Sequence, residues 1–268
     1  MKKTIAMFLF SMLLLTGSSK ASPLDDYSKA GNFGISIYTM RADMGDDYTG
    51  SILPRLNEGM DFSSKWSWGG ELSVTVAPKW ALSFDYAQYK NKDVKESDFG
   101  GGNGSYLSSR LQSSNIKLKY QAYAKERLTL TPYLGVGLNK NRQFQTLDFT
   151  AAGAGTSTLG YSTKRKTSLM AGLTAVYALD REKRFKTYFD GALGNKMYSW
   201  NIGVSYELVK NLELDFGYKC YQVRGLEYDY PNTALTSSNG SSHVYSSDKG
   251  KIKSTSKGIY FGLSYKFR

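Results

Sequence analysis

A period of two runs through most of this chain. The clearest example is 257–267, where Ile259, Phe261, Leu263, Tyr265 and Phe267 fall on one face and Gly258, Tyr260, Gly262, Ser264 and Lys266 on the other. Side chains alternate across a strand, so this spacing predicts a strand with one apolar and one small or polar face. The same pattern predicts a strand from Phe33 to Tyr38, one carrying Trp66, Trp68, Leu72 and Val74, and one carrying Leu82, Phe84 and Tyr86. Further strands carry Ile116, Leu118 and Tyr120, then Leu134, Val136 and Leu138, then Leu169, Leu173 and Tyr177. Another hairpin follows, with Trp200, Ile202, Val204, Tyr206 and Leu208 answered by Leu212, Leu214, Phe216, Tyr218 and Cys220. The segment Phe185 to Leu193, punctuated by Gly191 and Gly194, carries the weakest pattern. Counting it gives ten strands.

The connections sort by length. Short turns are expected at Ala77-Pro-Lys79, Ala124-Lys-Glu-Arg127, Asp180-Arg-Glu-Lys-Arg184 and Lys210-Asn211. Long polar loops are expected over Ala42 to Ser64, Asn91 to Ser108, Asn141 to Thr163 and Gly225 to Ser256. Short connections on one side and long ones on the other suit a closed antiparallel transmembrane β-barrel, with periplasmic turns and extracellular loops. Such a barrel needs an even strand number, so the expectation is ten, with eight as the alternative. The apolar faces would meet lipid. Trp66, Trp68 and Trp200 near the loop ends, and Trp80, Tyr206 and Tyr265 near the turn ends, would form two aromatic belts.

Composition agrees with this. The 268 residues include 21 tyrosines and 27 glycines but only five prolines. Lys2 and Lys3, the apolar run Thr4 to Leu15, and Ser19-Lys20-Ala21 read as a secretory signal peptide over 1–21, leaving a barrel domain over 22–268. Losing Lys2, Lys3 and Lys20 with that segment would lower the net charge from +12 to +9. For an exported chain, such a charge points to an anionic membrane surface and not to nucleic acid. Cys220 is the sole cysteine, which excludes an internal disulfide framework.

Two resemblances follow from particular residues. Gly262, Tyr265 and Phe267 resemble the C-terminal assembly signal of bacterial outer-membrane proteins, although Arg268 follows the usual terminal aromatic. That resemblance implies handling by the barrel-assembly machinery. Thr131-Pro-Tyr-Leu-Gly-Val-Gly-Leu-Asn139, with the short turn before it, resembles the mid-barrel strand of small outer-membrane barrels of the OmpW/OmpA-like kind. It implies a monomeric barrel in the bacterial outer membrane, without catalysis, in a structural, surface-interaction or small-pore role.

Candidate chemistry lies in three places. Glu71, Asp85, Lys117, Lys119, Glu207, Glu213, Asp215 and Lys219 fall on the inward face, where charges must pair or reach water. They could fill and stiffen the barrel or gate a narrow pore. Basic residues gather near the loop bases. Of these, Arg142, Lys164, Arg165 and Lys166 are expected to meet lipopolysaccharide phosphates. His243, the only histidine, sits among serines with Asp248 nearby and invites a hydrolase reading. Omptin proteases pair aspartates with an Asp-x-His element, and lipid A deacylases use His-x-Ser. Here Asp46-Asp47 lacks the first element, and Val244 and Tyr245 follow His243. No catalytic residue, metal site or cofactor is therefore expected. The competing classes are an outer-membrane enzyme using His243 and a soluble exported β-protein.

Overall fold

The computed structural model describes residues 29–49, 60–91, 94–95, 106–148, 156–229, 233–236, 242–245 and 249–267. The signal segment expected at 1–21 lies outside them. Ten long strands form the wall: β1 (Phe33–Thr49), β2 (Met60–Ala77), β3 (Trp80–Lys90), β4 (Tyr106–Tyr120), β5 (Leu128–Asp148), β6 (Lys166–Ala178), β7 (Phe185–Gly194), β8 (Met197–Val209), β9 (Leu212–Asp229) and β10 (Lys249–Phe267). Each pairs antiparallel with its sequence neighbours, and β10 pairs with β1 from Phe33↔Phe267 to Thr49↔Lys251. The sheet thus closes on itself and leaves no open edge among these strands. The weakly patterned segment is a full strand. Its partners on both sides, Ala175 and Ile202 opposite Phe189 for example, hold it in register.

Facing follows the predicted alternation. Ile37, Trp66, Leu72, Phe84, Ile116, Leu134, Leu169, Phe189, Ile202, Phe216 and Ile259 are exposed on the outside. Lys119, Lys186 and Glu213 are almost completely buried inside. Apolar outside and charged inside is the polarity of a barrel that spans a membrane, since lipid replaces water around it. Among the described residues no helix is long and apolar enough to cross a membrane.

All four short turns hold a residue in the left-handed region: Lys79 (φ 71°), Glu126 (φ 48°), Lys183 (φ 59°) and Asn211 (φ 72°). A positive φ at a hairpin matches the twist of the flanking strands. In the third turn, Asp180 accepts from the backbone N–H groups of Phe185 (2.9 Å) and Arg184 (3.2 Å).

The strands run further outward than the alternation implied. Ala42 to Thr49 continues β1 and Met60 to Ser64 begins β2, where a loop was expected. Likewise β5 reaches Asp148, β9 reaches Asp229 and β10 starts at Lys249. Short strands Val94–Lys95, Thr156–Ser162, Thr233–Thr236 and Ser242–Tyr245 lie within other expected loops. The reason is a reversal of polarity. On outer β1 the inward residues are Met40, Ala42 and Met44, all buried, and the outward ones include exposed Arg41, Asp43 and Asp47. On outer β9 the buried inward residues are Tyr221, Val223, Leu226 and Tyr228, against exposed Arg224, Glu227 and Asp229. Beyond the bilayer the wall meets water, so the apolar residues turn inward as in a soluble protein.

Loop length does not sort perfectly either. β7 and β8 join on the long-loop side through only Asn195 and Lys196. There β9 bulges between Val223 and Leu226, with Gly225 at φ 68°, and Arg224 N–H donates to the Lys196 carbonyl at 2.8 Å. Above this low hairpin the wall closes again: Lys164 N–H donates to the Glu227 carbonyl at 2.9 Å.

Candidate functional site

The lumen is the candidate site, and it is filled in layers. At its turn end Lys186 Nζ meets Glu213 Oε1 at 2.7 Å, each side chain only 2% exposed. Glu207 beside them accepts from Asn211 N–H at 3.1 Å. Lys119 is ion-paired with Glu71. In the middle, Lys117 meets Asp85 at 2.7 Å, and Asn115 Nδ2 donates to the same carboxylate at 2.6 Å. Lys219 donates to Tyr38 Oη at 2.8 Å, and Asp215 accepts from Ser264 Oγ at 2.5 Å. All eight charged residues expected inside therefore point there and have partners.

Sequence reading missed others. Lys186 and Asp190 lie on the weakly patterned strand. Asp190 accepts from Thr174 Oγ1 (2.6 Å) and Tyr133 Oη (3.1 Å). The alternation Phe185, Thr187, Phe189 against Lys186, Tyr188, Asp190 was the signal available. Asp46, expected in a loop, is buried on β1, where it accepts from Ser109 Oγ (2.7 Å) and Asn141 Nδ2 (3.2 Å). Its neighbour Asp47 points outward to Lys253 at 2.6 Å. The two aspartates thus face opposite sides of the wall and cannot share one catalytic water.

On the lumen face, tyrosine and glycine fit one another on neighbouring strands: Tyr38 lies opposite Gly69, Tyr133 opposite Gly172, Tyr188 opposite Gly203 and Tyr260 opposite Gly217. A Cβ at Gly69, Gly172, Gly203 or Gly217 would run into the side chain of Tyr38, Tyr133, Tyr188 or Tyr260 respectively. Tyr188 and Tyr260 hydroxyls also hydrogen-bond to each other. Toward the outside, Met40, Met44, Tyr89, Leu111, Tyr221, Val223, Leu226 and Ile252 form an apolar cluster. Between the layers remains a cavity of about 110 Å³ touching Asp85, Lys117, Asp190, Lys219 and Tyr221. That is room for several waters.

The other expected sites are spread over the molecule. Gly262 faces the lumen against Tyr38, while Phe267 packs on Phe33 (ring centroids 5.4 Å) and on Tyr265 (4.7 Å) at the seam where the barrel closes. Arg142, Lys164 and Arg165 are exposed, and Lys166 is ion-paired with Glu227 at 3.7 Å. His243 lies on the short strand Ser242–Tyr245, opposite Leu235. Among the described residues no group of three or more His, Cys, Asp or Glu could hold a metal ion.

No family model matches the chain, and neither does any curated protein. Several solved structures are similar in fold. The outer membrane protease OmpT from Escherichia coli is 10% identical, with 88% of this chain and 97% of that one covered at a TM-score of 0.46. Neisserial surface protein A is 18% identical, with 88% and 99% covered at 0.34. The outer membrane protein OprG from Pseudomonas aeruginosa is 16% identical, with 90% and 97% covered at 0.38. Identities this low concern fold alone, and the OmpW/OmpA-like resemblance gains no confirmation from them. The chain is a closed ten-stranded antiparallel barrel, and the solved structures similar to it are bacterial outer-membrane proteins.

Proposed function

We propose that this protein is a monomeric bacterial outer-membrane barrel whose interior is structural and whose work is done at the cell surface. The observation that carries the reading is the filled lumen, with Lys186–Glu213, Lys119–Glu71 and Lys117–Asp85 paired along its wall, Tyr221 hydrogen-bonded across it to Ser113 and Asn139, and an apolar cluster above. Each pair ties one strand to another, because separating the partners would leave a buried charge uncompensated. An open channel would instead present them to water. The surface role rests on the strands that continue beyond the apolar belt with a polar exterior, and on the basic rim. That rim suits anionic lipopolysaccharide, which exposed Arg142, Lys164 and Arg165 could contact. The seam residues Tyr265 and Phe267 are the part of β10 that the assembly machinery would read.

The reading excludes catalysis by His243. Purified barrel in lipopolysaccharide-containing vesicles is to be assayed with a basic peptide and with labelled lipid A, alongside His243→Ala. No turnover by either protein is the expected result. Turnover that is lost in His243→Ala would replace the surface role with an enzyme.

A further inference from the structure

On the outward face of β3, β4 and β5, Lys90 stands directly opposite Arg110, and Arg110 directly opposite Arg142. One step toward the membrane the next row is Gln88, Gln112 and Lys140, in the same register. Four cations thus occupy adjoining positions on three neighbouring strands. Directly opposed residues on paired strands sit only about 5 Å apart, and like charges placed so repel. None of the four has a carboxylate partner among the described residues. The strand sequences explain why. β4 contains no Asp or Glu, β3 contains only the inward Asp85, and β5 only Asp148 near its outer end. Other rim cations differ: Lys166 is paired with Glu227 and Lys253 with Asp47.

The same three strands turn apolar below, past the mixed row Tyr86, Ser114 and Leu138. Phe84, Ile116 and Val136 form one exposed row, and Leu82, Leu118 and Leu134 the next. Trp68 on β2 flanks the boundary, its indole N–H donating to Gln88 at 3.2 Å. A ligand matching this surface carries phosphate at the level of the cations and acyl chains along the apolar rows. A soluble polyanion would leave those rows unused.

We infer that Lys90, Arg110, Lys140 and Arg142 form a binding site for the phosphate head of a lipopolysaccharide molecule whose acyl chains lie on the β3–β5 wall. This rests on the lipopolysaccharide contact proposed above and moves its centre. Arg142 is retained, Lys90, Arg110 and Lys140 are added, and Lys164, Arg165 and Lys166 fall outside the array. Arginine forks suit phosphate because two parallel N–H groups can meet two oxygens.

The test uses the whole barrel refolded in zwitterionic detergent and titrated with bisphosphorylated lipid A, chemically dephosphorylated lipid A, and a soluble sulfated oligosaccharide. The variants are Lys90→Gln/Arg110→Gln/Arg142→Gln and Lys164→Gln/Arg165→Gln/Lys166→Gln, each shown to be folded by its heat-dependent gel mobility. Wild type should bind the phosphorylated lipid and neither of the other two ligands. The first variant should bind it about a hundredfold more weakly, and the second within a fewfold of wild type. Loss confined to the second variant would overturn this site while leaving lipopolysaccharide as the partner. Equal binding of the soluble oligosaccharide would overturn it in favour of a polyanion. No binding by wild type would overturn both this site and the surface contact on which it rests.

Discussion

Lys164 donates its backbone N–H to the carbonyl of Glu227 at 2.9 Å, above a hairpin that stops short at Asn195–Lys196. Two strands of the wall end below this bond, so it joins chain segments that β7 and β8 keep apart lower down. The wall has fewer strands at this level, where Val223, Leu226 and Ile252 are buried. Lys164→Pro removes the donor and should open this seam. Protease added outside intact vesicles should then cut near 160–166 faster than in wild type. Glu227→Ala keeps the carbonyl and loses only a partly exposed ion pair, so it should change the cutting rate little. Equal cutting of Lys164→Pro and wild type would mean that the bond does not seal the wall.

Leu134 is 67% exposed on the outward face of β5. If that face meets hydrocarbon, Leu134→Arg should cost about 2–4 kcal/mol of folding free energy near the midplane. Leu134→Ala removes apolar area without placing a charge in lipid and should cost less. Urea titration of folding into phosphatidylcholine vesicles measures both. An arginine variant as stable as wild type would put this face in water.

Lys186 and Glu213 are buried together at the turn end of the lumen, 2.7 Å apart. Removing one partner leaves a charge without its counterpart in a site that water barely reaches. Lys186→Met is therefore expected to lose about 3–5 kcal/mol. The double variant Lys186→Met/Glu213→Leu should lose less than the two single losses added together, because the stranded charge is gone. Additive losses in denaturant titrations would show that the two charges act independently.

Asp180 gives a pH dependence outside the membrane. What burial it has would raise its pKa, but the backbone N–H groups of Phe185 and Arg184 prevail and hold it below the ordinary 3.8. A carboxyl depressed on folding contributes fully above its unfolded pKa, and the contribution fades as pH falls through the folded value. Wild type should therefore exceed Asp180→Asn in stability at neutral pH, with the difference shrinking below about pH 4. A gap that does not change between pH 7 and pH 3 would assign the loss to packing in the turn.

The membrane-spanning half of each strand was legible because lipid outside and a polar lumen inside impose a strict period of two. Ile259 to Phe267 and Leu134 to Leu138 show it plainly. The outer halves were not, because the sign of the alternation reverses at the water boundary. Met40, Ala42 and Met44 point inward past Thr39, so a reader following apolar residues outward loses the strand there. The inward charges were legible one by one, but their partners were not, since Lys186 lay on the strand with the least regular pattern. Asp46 was misplaced for the same reason as the outer strands. The cation array needed register. Lys90, Arg110 and Arg142 are far apart in sequence, and only pairing across β3, β4 and β5 brings them into one row.

Whether side chains close the lumen separates a structural barrel from a pore. Single-channel recording of the refolded barrel in a planar bilayer tests this most directly. With Lys117–Asp85, Lys119–Glu71 and Lys186–Glu213 paired along the inner wall, Tyr221 hydrogen-bonded across the interior to Ser113 and Asn139, and a cavity of about 110 Å³ between the layers, insertion should leave the bilayer current at baseline. Heat-dependent gel mobility of the same sample would show that folded barrel was present. Steady, reproducible conductance steps from that sample would contradict a filled lumen and make the protein a pore.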